Sequence, residues 1–210
     1  MAGRLKADER RERLVRAARK LFATRGYEAT RMEDIAEAAG CTTGPLYHFF
    51  KTKQDVYVAA IRAATAESGA TMQTSRGAHA EAGPLEQILL TCDYLLDLLA
   101  NTEAVSFVRD APRALGYAEW NRFNEEMVVR LLETDLRNAM IEGEIEPEPP
   151  QPLASILASA ILAAANHAID GADADSVERF RSAIRRVILR LKLPIPITPD
   201  GKRPPPVRRR

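Results

Sequence analysis

The sequence contains few cysteines and no residue pattern typical of a catalytic or metal centre. Its two cysteines, Cys41 and Cys92, do not form a disulfide framework, and this usage fits a reducing compartment. It has no zinc-spaced cysteine and histidine set, glycine-rich phosphate loop or nucleophile elbow, and His48, His79 and His167 lie in unrelated contexts. We therefore expect no catalysis, no metal ion and no cofactor.

Long apolar runs are also missing. No run of about 18 apolar residues occurs, and the first residues, MAGRLKADERRERL, lack the apolar segment of a secretory signal. We expect a cytoplasmic protein without a membrane span. With 46% hydrophobic and 28% charged residues among 210, the composition is that of an ordinary globular protein with a sizeable core.

The net charge of +1 hides an uneven distribution of charge. Residues 1–62 carry 13 basic and 8 acidic side chains, residues 63–180 carry 7 and 20, and residues 181–210 carry 10 and 1. A basic N-terminal part supplies the attraction to phosphate that DNA binding needs, whereas the acidic middle repels DNA. Because charged segments are usually just solvated, this pattern favours DNA binding without establishing it.

Residues 30–53, TRMEDIAEAAGCTTGPLYHFFKTK, have the pattern of two short helices joined by a tight turn. Thr30 starts a capping-box pattern, which predicts a helix from Arg31 to Ala39. Gly40 can end this helix in a left-handed conformation, and Thr42 can cap the next one. The first turn of the second helix is small and polar, so its backbone can approach the edges of DNA bases.

The segment DIAEAAGCTTGPLYHFFKTK resembles the helix-turn-helix of the tetracycline-repressor (TetR) family of dimeric transcriptional regulators. The resemblance covers roughly residues 10–61 and reaches the rest of the chain only through the family's architecture. Two residues depart from the family pattern. Pro45 stands where serine or threonine is frequent, which puts the base that is read in doubt, and Cys41 replaces a common valine. The alternative interpretation is a pair of core-packing helices without a nucleic-acid role.

We expect the polar residues of this motif to contact DNA. Thr43 and Gly44 are predicted near base edges, Tyr47 and His48 on phosphates, and Lys53 as a point charge beside the DNA backbone. The complete predicted set is Thr30, Arg31, Thr42, Thr43, Gly44, Pro45, Tyr47, His48, Lys51 and Lys53.

Apolar residues at helical spacing predict an all-α fold for the remainder of the chain. We expect a helix-turn-helix domain over residues 1–55, a helical effector-binding and dimerisation domain over 56–193, and a disordered, basic, proline-rich tail over 194–210. The predicted helices cover residues 3–25, 31–39, 43–49, 53–67, 85–99, 103–109, 117–141, 153–169 and 176–193. A loop over 68–83 and a proline-acid linker over 144–152 separate them.

The family resemblance implies an apolar ligand site among the middle helices. The candidate lining residues are Tyr94, Phe107, Trp120, Phe123, Met127, Asn166 and His167, although an aromatic residue at helical spacing is more often part of a core. Asn166 and His167 interrupt an alanine-rich face, so they can line the cavity or form hydrogen bonds across a dimer seam.

The last two predicted helices resemble the dimerising helices of the family. The predicted interface consists of Ile156, Ala160, Ala163, Phe180, Ile184, Val187, Ile188 and Leu191. These expectations describe a homodimeric one-component repressor that binds double-stranded, palindromic operator DNA and is released by a small hydrophobic effector. The alternative is a ligand-independent helical DNA-binding or structural protein, which would lack an enclosed apolar pocket.

Overall fold

In the computed structural model, which describes residues 2–169 and 174–192, the chain is helical, and the predicted all-α fold is confirmed. The predicted tail over residues 194–210 lies outside the described residues. The helices are α1 (Ala2–Ala29), α2 (Met32–Ala38), α3 (Thr43–Phe49), α4 (Lys53–Ala78), α5 (Pro84–Asp97), α6 (Thr102–Leu115), α7 (Tyr117–Asn124), α8 (Arg130–Ile141), α9 (Pro150–Ile169) and α10 (Ala174–Leu191).

The N-terminal core forms around α1. Leu14, Ala18 and Phe22 recur every four residues on one face of this helix, and each is at most 1% exposed. Ile35 of α2 and Leu46 of α3 pack into the same cluster, and residues of α4, α6 and α7 complete it. Helix α6 therefore belongs to the core of the helix-turn-helix, although the sequence predicts it as part of the second domain.

The C-terminal core lies among α5, α8, α9 and α10. Ile88, Leu132, Leu157 and Ile188, one from each helix, are at most 1% exposed. Helix α4 runs from the N-terminal core to this second group, and the predicted domain boundary between residues 55 and 56 falls inside it. The two parts of the protein therefore share one continuous helix.

Helix α4 continues through most of the predicted loop over residues 68–83, so that prediction is wrong. Gly, Ser and Thr are poor helix formers, but tertiary contacts hold this segment. The carbonyl of Ser68 accepts a 2.7 Å hydrogen bond from the hydroxyl of Tyr94, Met72 is buried, and Arg76 binds Asp135. The tertiary contacts of these three residues outweigh the low helix propensity of the segment.

Helix α6 is longer than predicted, because it passes through Pro112 and ends at Leu115. The side chain of Asn101 caps its start by accepting a 2.8 Å bond from the N–H of Glu103. Pro112 lies in the last turn, where its missing N–H removes a single helical bond. Burial of Leu115 keeps the turn helical until Gly116, whose φ of 79° ends it.

The prolines of the predicted linker do not delay α9, which begins at Pro150 because proline suits a first helical turn. By length and composition α9 could span a membrane, and 33% of the tested window is buried. One such helix is weak support for a membrane span, because core helices pass the same test. Its inner face packs in the C-terminal core.

Candidate nucleic-acid interface and ligand cavity

Backbone hydrogen bonds at the turn between α2 and α3 fix how the two helices meet. Gly40 has a φ of 67°, and its N–H donates to the carbonyl of Glu37 over 2.9 Å. The N–H of Cys41 donates to the carbonyl of Ala36 over 3.0 Å. This pair of bonds is a Schellman motif, which needs a left-handed residue and favours glycine. The structure thus contains the predicted turn, and Cys41 packs against the N-terminal core.

The first turn of α3 lacks a side-chain cap but contains a buried residue. Thr42 precedes the helix with extended backbone and makes no capping hydrogen bond through its side chain. Pro45 occupies the third helical position, where an amide would have no acceptor within the helix. Leu46 has no exposed surface and holds α3 on the core.

The other side of α3 is polar and faces outward. Tyr47 is 43% exposed, and a Cβ added at Gly44 would meet no atom within 4 Å, so there is open space beside the helix. The predicted DNA contacts that the structure exposes are Arg31, Thr42, Gly44, Tyr47, His48 and Lys51, while Thr43, Pro45 and Lys53 are half-buried.

Thr30, predicted as both a helix cap and a DNA contact, is fully buried. Its exposed fraction is 0%, and its hydroxyl donates to the carbonyl of Gly26 over 2.8 Å. Arg31 takes the cap position of α2, and its N–H donates to the side chain of Asp34 over 3.1 Å. Both predictions for Thr30 are therefore wrong, because the cap lies one residue later and the hydroxyl of Thr30 closes the short turn after Gly26.

Lys53 binds the end of α1 within the protein. Its ammonium donates to the carbonyls of Tyr27 and Glu28 over 2.9 and 3.3 Å and lies 4.3 Å from the centre of the Tyr27 ring. Both carbonyls lie in the short turn after Gly26, whose φ of 80° and ψ of 171° interrupt the helical backbone of α1. Lys53 therefore stabilises the junction of α1 and α4, and its contact with phosphate stays a prediction.

Tyr57, the largest fully buried side chain, joins α1, α4 and α6. Its ring centre lies 5.1, 5.0 and 5.5 Å from those of Phe22, Tyr27 and Phe107. Its hydroxyl donates to the carbonyl of Phe107 over 2.9 Å. Burial raises the pKa of Tyr57 well above its usual range, so the hydroxyl keeps its proton and remains a donor.

Two further hydrogen bonds fasten α6 to α1. The hydroxyl of Ser106 donates to the carbonyl of Phe22 over 3.1 Å, and the N–H of Tyr27 donates to the side chain of Asp110 over 2.7 Å. Any displacement of α6 therefore acts on the helix that carries the core of the helix-turn-helix.

A cavity of about 210 Å³ lies among α4, α5, α6, α7, α8 and α9, between the two cores. Five of the seven predicted lining residues are on its wall: Tyr94, Phe107, Trp120, Phe123 and Met127. The rings of Trp120 and Phe123 stack with their centres 6.1 Å apart. The wall is almost entirely apolar, which suits a ligand rich in carbon and hydrogen.

Asn166 and His167 are not on the cavity wall, which corrects the prediction for this pair. Helix α9 turns Ile161 and Ala165 toward the cavity, and the two polar residues lie on its exposed side. The ring of His167 rests 5.1 Å from that of Phe180 on α10. The alternative prediction, hydrogen bonds across a dimer seam, stays open.

Sequence reasoning did not identify Asn124, a polar residue on the cavity wall. It ends α7 and precedes a π-helical turn over Glu125–Val129, which joins α7 to α8. Helical periodicity predicts one continuous helix here because a single widened turn hardly changes the apolar pattern. Such turns occur often at functional sites, and this one places Met127 and Val128 on the cavity wall.

An ion pair between half-buried Arg76 and buried Asp135 holds the far end of α4. The guanidinium of Arg76 donates to both carboxylate oxygens of Asp135, each over 2.7 Å, and to the hydroxyl of Thr91 over 2.9 Å. Asp135 is only 3% exposed. The hydrogen bonds that Arg76 donates to Asp135 raise the pKa of Arg76, and Arg76, Thr91 and Asp135 together tie α4 to α5 and α8.

The outer surface of α9 and α10 contains exposed apolar residues. Ile156 is 62% exposed and Val187 is 49% exposed. Residues of a dimer interface are expected to be exposed in a single protomer, so these two fit the predicted interface. Ile184 and Ile188, in contrast, are 4% and 0% exposed, because the apolar stripe of α10 faces α5 and α9. Assigning these two residues to the interface is therefore wrong. The other predicted residues, Ala160, Ala163, Phe180 and Leu191, are half-buried.

Two family profiles match the chain. The profile of bacterial regulatory proteins of the tetR family matches residues 14–60, and that of the tetracyclin repressor-like C-terminal domain matches residues 85–191. The first range holds the helix-turn-helix. The second covers about half of the chain and includes most of the helices around the cavity.

Curated relatives resemble the N-terminal part. The transcriptional repressor KstR2 from Mycolicibacterium smegmatis is 43% identical over 53 residues, which are 25% of this chain and 26% of that protein. The transcriptional activator FasR from the same organism is 42% identical over 59 residues, 28% of this chain and 27% of that protein. The chain thus spans about a quarter of the length of these relatives, and their names include both directions of regulation.

Similarity to solved structures extends over most of the chain. The crystal structure of a TetR-family transcriptional regulator from Pectobacterium atrosepticum has a TM-score of 0.75 and 26% sequence identity, and the match covers 91% of this chain and 98% of that chain. This coverage includes both cores, as the two profiles do together. Both the helix-turn-helix and the helices around the cavity therefore resemble members of one family. This chain belongs to the TetR family of bacterial regulatory proteins.

Proposed function

We propose that this protein is a homodimeric transcriptional repressor that a small hydrophobic ligand releases from a palindromic operator. The observation that carries the proposal is the exposed polar face of α3, connected through α4 to an apolar cavity. We assign DNA reading to residues 1–55 and effector binding and dimerisation to residues 56–193, with α4 shared between them.

The exposed residues of α3 support DNA binding. Gly44 leaves room for close approach, while Tyr47 and His48 can donate to phosphate oxygens. Lys51 adds an exposed positive charge beyond the helix. Because base contacts come from the first residues of a recognition helix, Thr43 and Gly44 are the proposed readers of sequence.

The cavity favours ligand control over ligand-independent DNA binding. An apolar space of this kind is costly for a protein that needs none, because lost packing and lost burial both destabilise the fold. Its position between the cores places a ligand against Phe107, whose carbonyl binds Tyr57 and whose helix is fastened to α1. Ligand binding and DNA binding therefore act on the same helices.

The exposed side of α9 and α10 supports a homodimer. One recognition helix reads few base pairs, so two act together on half-sites whose centres lie roughly 34–36 Å or a modest multiple apart. Ile156 and Val187 offer apolar surface for a second copy, and the small residues Ala160 and Ala163 allow close approach of helices. We assign the exposed side of α9 to this interface. We also place the protein in the cytoplasm, where operator DNA is accessible.

Fluorescence anisotropy with a palindromic duplex, selected for binding from a random pool, tests the DNA contacts. Tyr47→Ala and His48→Ala should each weaken binding by about tenfold, because charge-assisted bonds to phosphate are lost. Gln73→Ala, an exposed change on α4, is the matched control and should bind as the unaltered protein does. Unchanged affinity in both α3 variants would remove this face from the DNA interface.

A further inference from the structure

We propose that the cavity binds an uncharged, mostly apolar ligand that carries one hydrogen-bonding group, and that Asn124 binds this group. The inference rests on the proposed function and names the ligand class of the same cavity. It depends on three features: the charge of the wall, the hydrogen bonds its polar residues already make, and its size.

No charged side chain lines the cavity among the described residues. The nearest acidic residues in sequence, Glu125 and Glu126, belong to the π turn that follows Asn124 but are absent from the wall. Glu126 instead pairs with Arg62 over 3.3 Å. A carboxylate or ammonium placed inside the cavity would therefore lose its hydration without gaining a counter-charge, which disfavours a ligand that buries a charge there.

Two polar side chains on the wall already have partners. The hydroxyl of Thr65 donates to the carbonyl of Ile61 over 2.8 Å, and that of Tyr94 donates to the carbonyl of Ser68 over 2.7 Å. Within the described part of the chain, the wall groups without a protein hydrogen bond are the side chains of Asn124 and Ser68 and the indole N–H of Trp120.

Asn124 is better suited to orient a ligand than Ser68, or than Trp120, whose indole can only donate. Its amide presents an acceptor oxygen and two N–H donors in one fixed plane, so it can bind a hydroxyl or a carbonyl. It is held at the end of α7, next to the stacked rings of Trp120 and Phe123. A ligand with one polar group can therefore bond to the amide and place its apolar part against the rings.

The size of the cavity limits the ligand further. Its volume of about 210 Å³ exceeds the ~150 Å³ of an apolar cavity that holds benzene and is below the ~300 Å³ at which drug-sized pockets begin. The expected ligand is therefore a small molecule such as a medium-chain alcohol or ketone, and larger effectors would need the walls to move.

Trp120, the one tryptophan of the chain, provides a direct test without DNA because it lies on the wall. Tryptophan fluorescence and calorimetry of the full chain would be followed during titration with 1-octanol, octanoate and octylamine at neutral pH, three probes of equal chain length. We expect 1-octanol to bind at least about tenfold more tightly than either charged probe. Equal or tighter binding of octanoate or octylamine, or no binding of 1-octanol, would overturn the proposal.

A pair of variants on α7 tests the role of Asn124. Asn124→Leu keeps the side-chain size but removes the hydrogen bond, so the affinity for 1-octanol should fall about three- to tenfold. Asn121→Leu, the same change on the exposed side of α7, should leave it unchanged. Circular dichroism checks that both variants fold. Full affinity in folded Asn124→Leu would exclude Asn124, and if that variant does not fold, the comparison of the three probes still decides the ligand class.

The proposed function can fail separately from this inference. If 1-octanol binds at Asn124 but no ligand changes operator affinity, ligand control fails and the ligand class stands. If a charged effector releases the operator and binds at the cavity more tightly than 1-octanol, ligand control stands and the ligand class fails.

Discussion

At the scale of single residues, hydrogen bonds within the helix-turn-helix separate the residues that hold the fold from those that remain for DNA. Thr30 and Lys53 both bind carbonyl groups near the end of α1, so their polar groups are engaged before DNA arrives. In contrast, no burial in the core holds Gly44, Tyr47 or His48, which are exposed. The sequence identifies all five as candidates because a motif records residue types and spacing but not their internal partners.

Gly44→Ala should separate folding from DNA recognition. A Cβ at this position meets no other atom, and alanine favours helix over glycine by up to about 1 kcal/mol, so the free energy of unfolding should stay equal or rise. The added methyl should nevertheless change the preferred operator sequence if α3 approaches base edges here. Urea denaturation measures the first effect and binding-site selection the second. An unaltered sequence preference would remove Gly44 from the reading surface.

Asp135→Ala should lower the free energy of unfolding by about 3 kcal/mol, because it leaves the guanidinium of Arg76 half-buried without its partner. Glu133→Ala on the same helix is the matched control. It removes an i,i+4 pair with Arg137, whose side chain is 57% exposed, so the expected change is within about 0.5 kcal/mol. Urea denaturation measures both, and equal effects would contradict the role of burial.

At the scale of elements, the sequence predicts helices well where caps and apolar spacing agree. At the start of α4, both bonds of the predicted capping box form. The N–H of Asp55 donates to the hydroxyl of Thr52 over 3.1 Å, and the N–H of Thr52 donates to the carboxylate of Asp55 over 2.9 Å. The sequence fails where distant residues hold an element, as at the end of α4 and at Pro112 of α6, because local propensity contains no information about such partners. Asn124 was not predicted because the π-helical turn that follows it hardly changes the apolar pattern.

Tyr57→Phe should weaken the connection between the cavity and the helix-turn-helix. The variant keeps the ring contacts but loses the hydrogen bond to the carbonyl of Phe107, so unfolding should become easier by about 1 kcal/mol. The ratio of operator affinities without and with 1-octanol should move toward one, because α6 is then less firmly joined to α4. Tyr117→Phe is the control for loss of a tyrosine hydroxyl, because Tyr117 is 76% exposed. An unchanged ratio in Tyr57→Phe would show that coupling does not use this bond.

At the scale of the whole molecule, the division between core and interface could not be derived from the sequence. The apolar stripe of α10 includes Ile184, Ile188 and, at its edge, Val187, and periodicity alone does not show which part of the stripe faces its own protomer. The structure buries Ile184 and Ile188 and leaves Val187 exposed. Charges at the two buried isoleucines would unfold the protomer, so they cannot test dimerisation.

The double variant Ile156→Glu and Val187→Glu should give a folded monomer. Both side chains are exposed in the protomer, so the charges cost little until a second copy covers them. Sedimentation measures the assembly, and circular dichroism confirms folding. Ile141→Glu, a change at a residue 72% exposed on α8, should remain a dimer. A dimeric double variant would place the interface elsewhere.

Binding-site selection from a random duplex pool at about 0.15 M salt tests most directly whether two α3 helices read one operator. The account predicts an enriched palindrome with half-site centres roughly 34–36 Å or a modest multiple apart. The monomeric double variant should enrich it far less. An unenriched pool, or enrichment of a lone half-site with full affinity, would contradict the account.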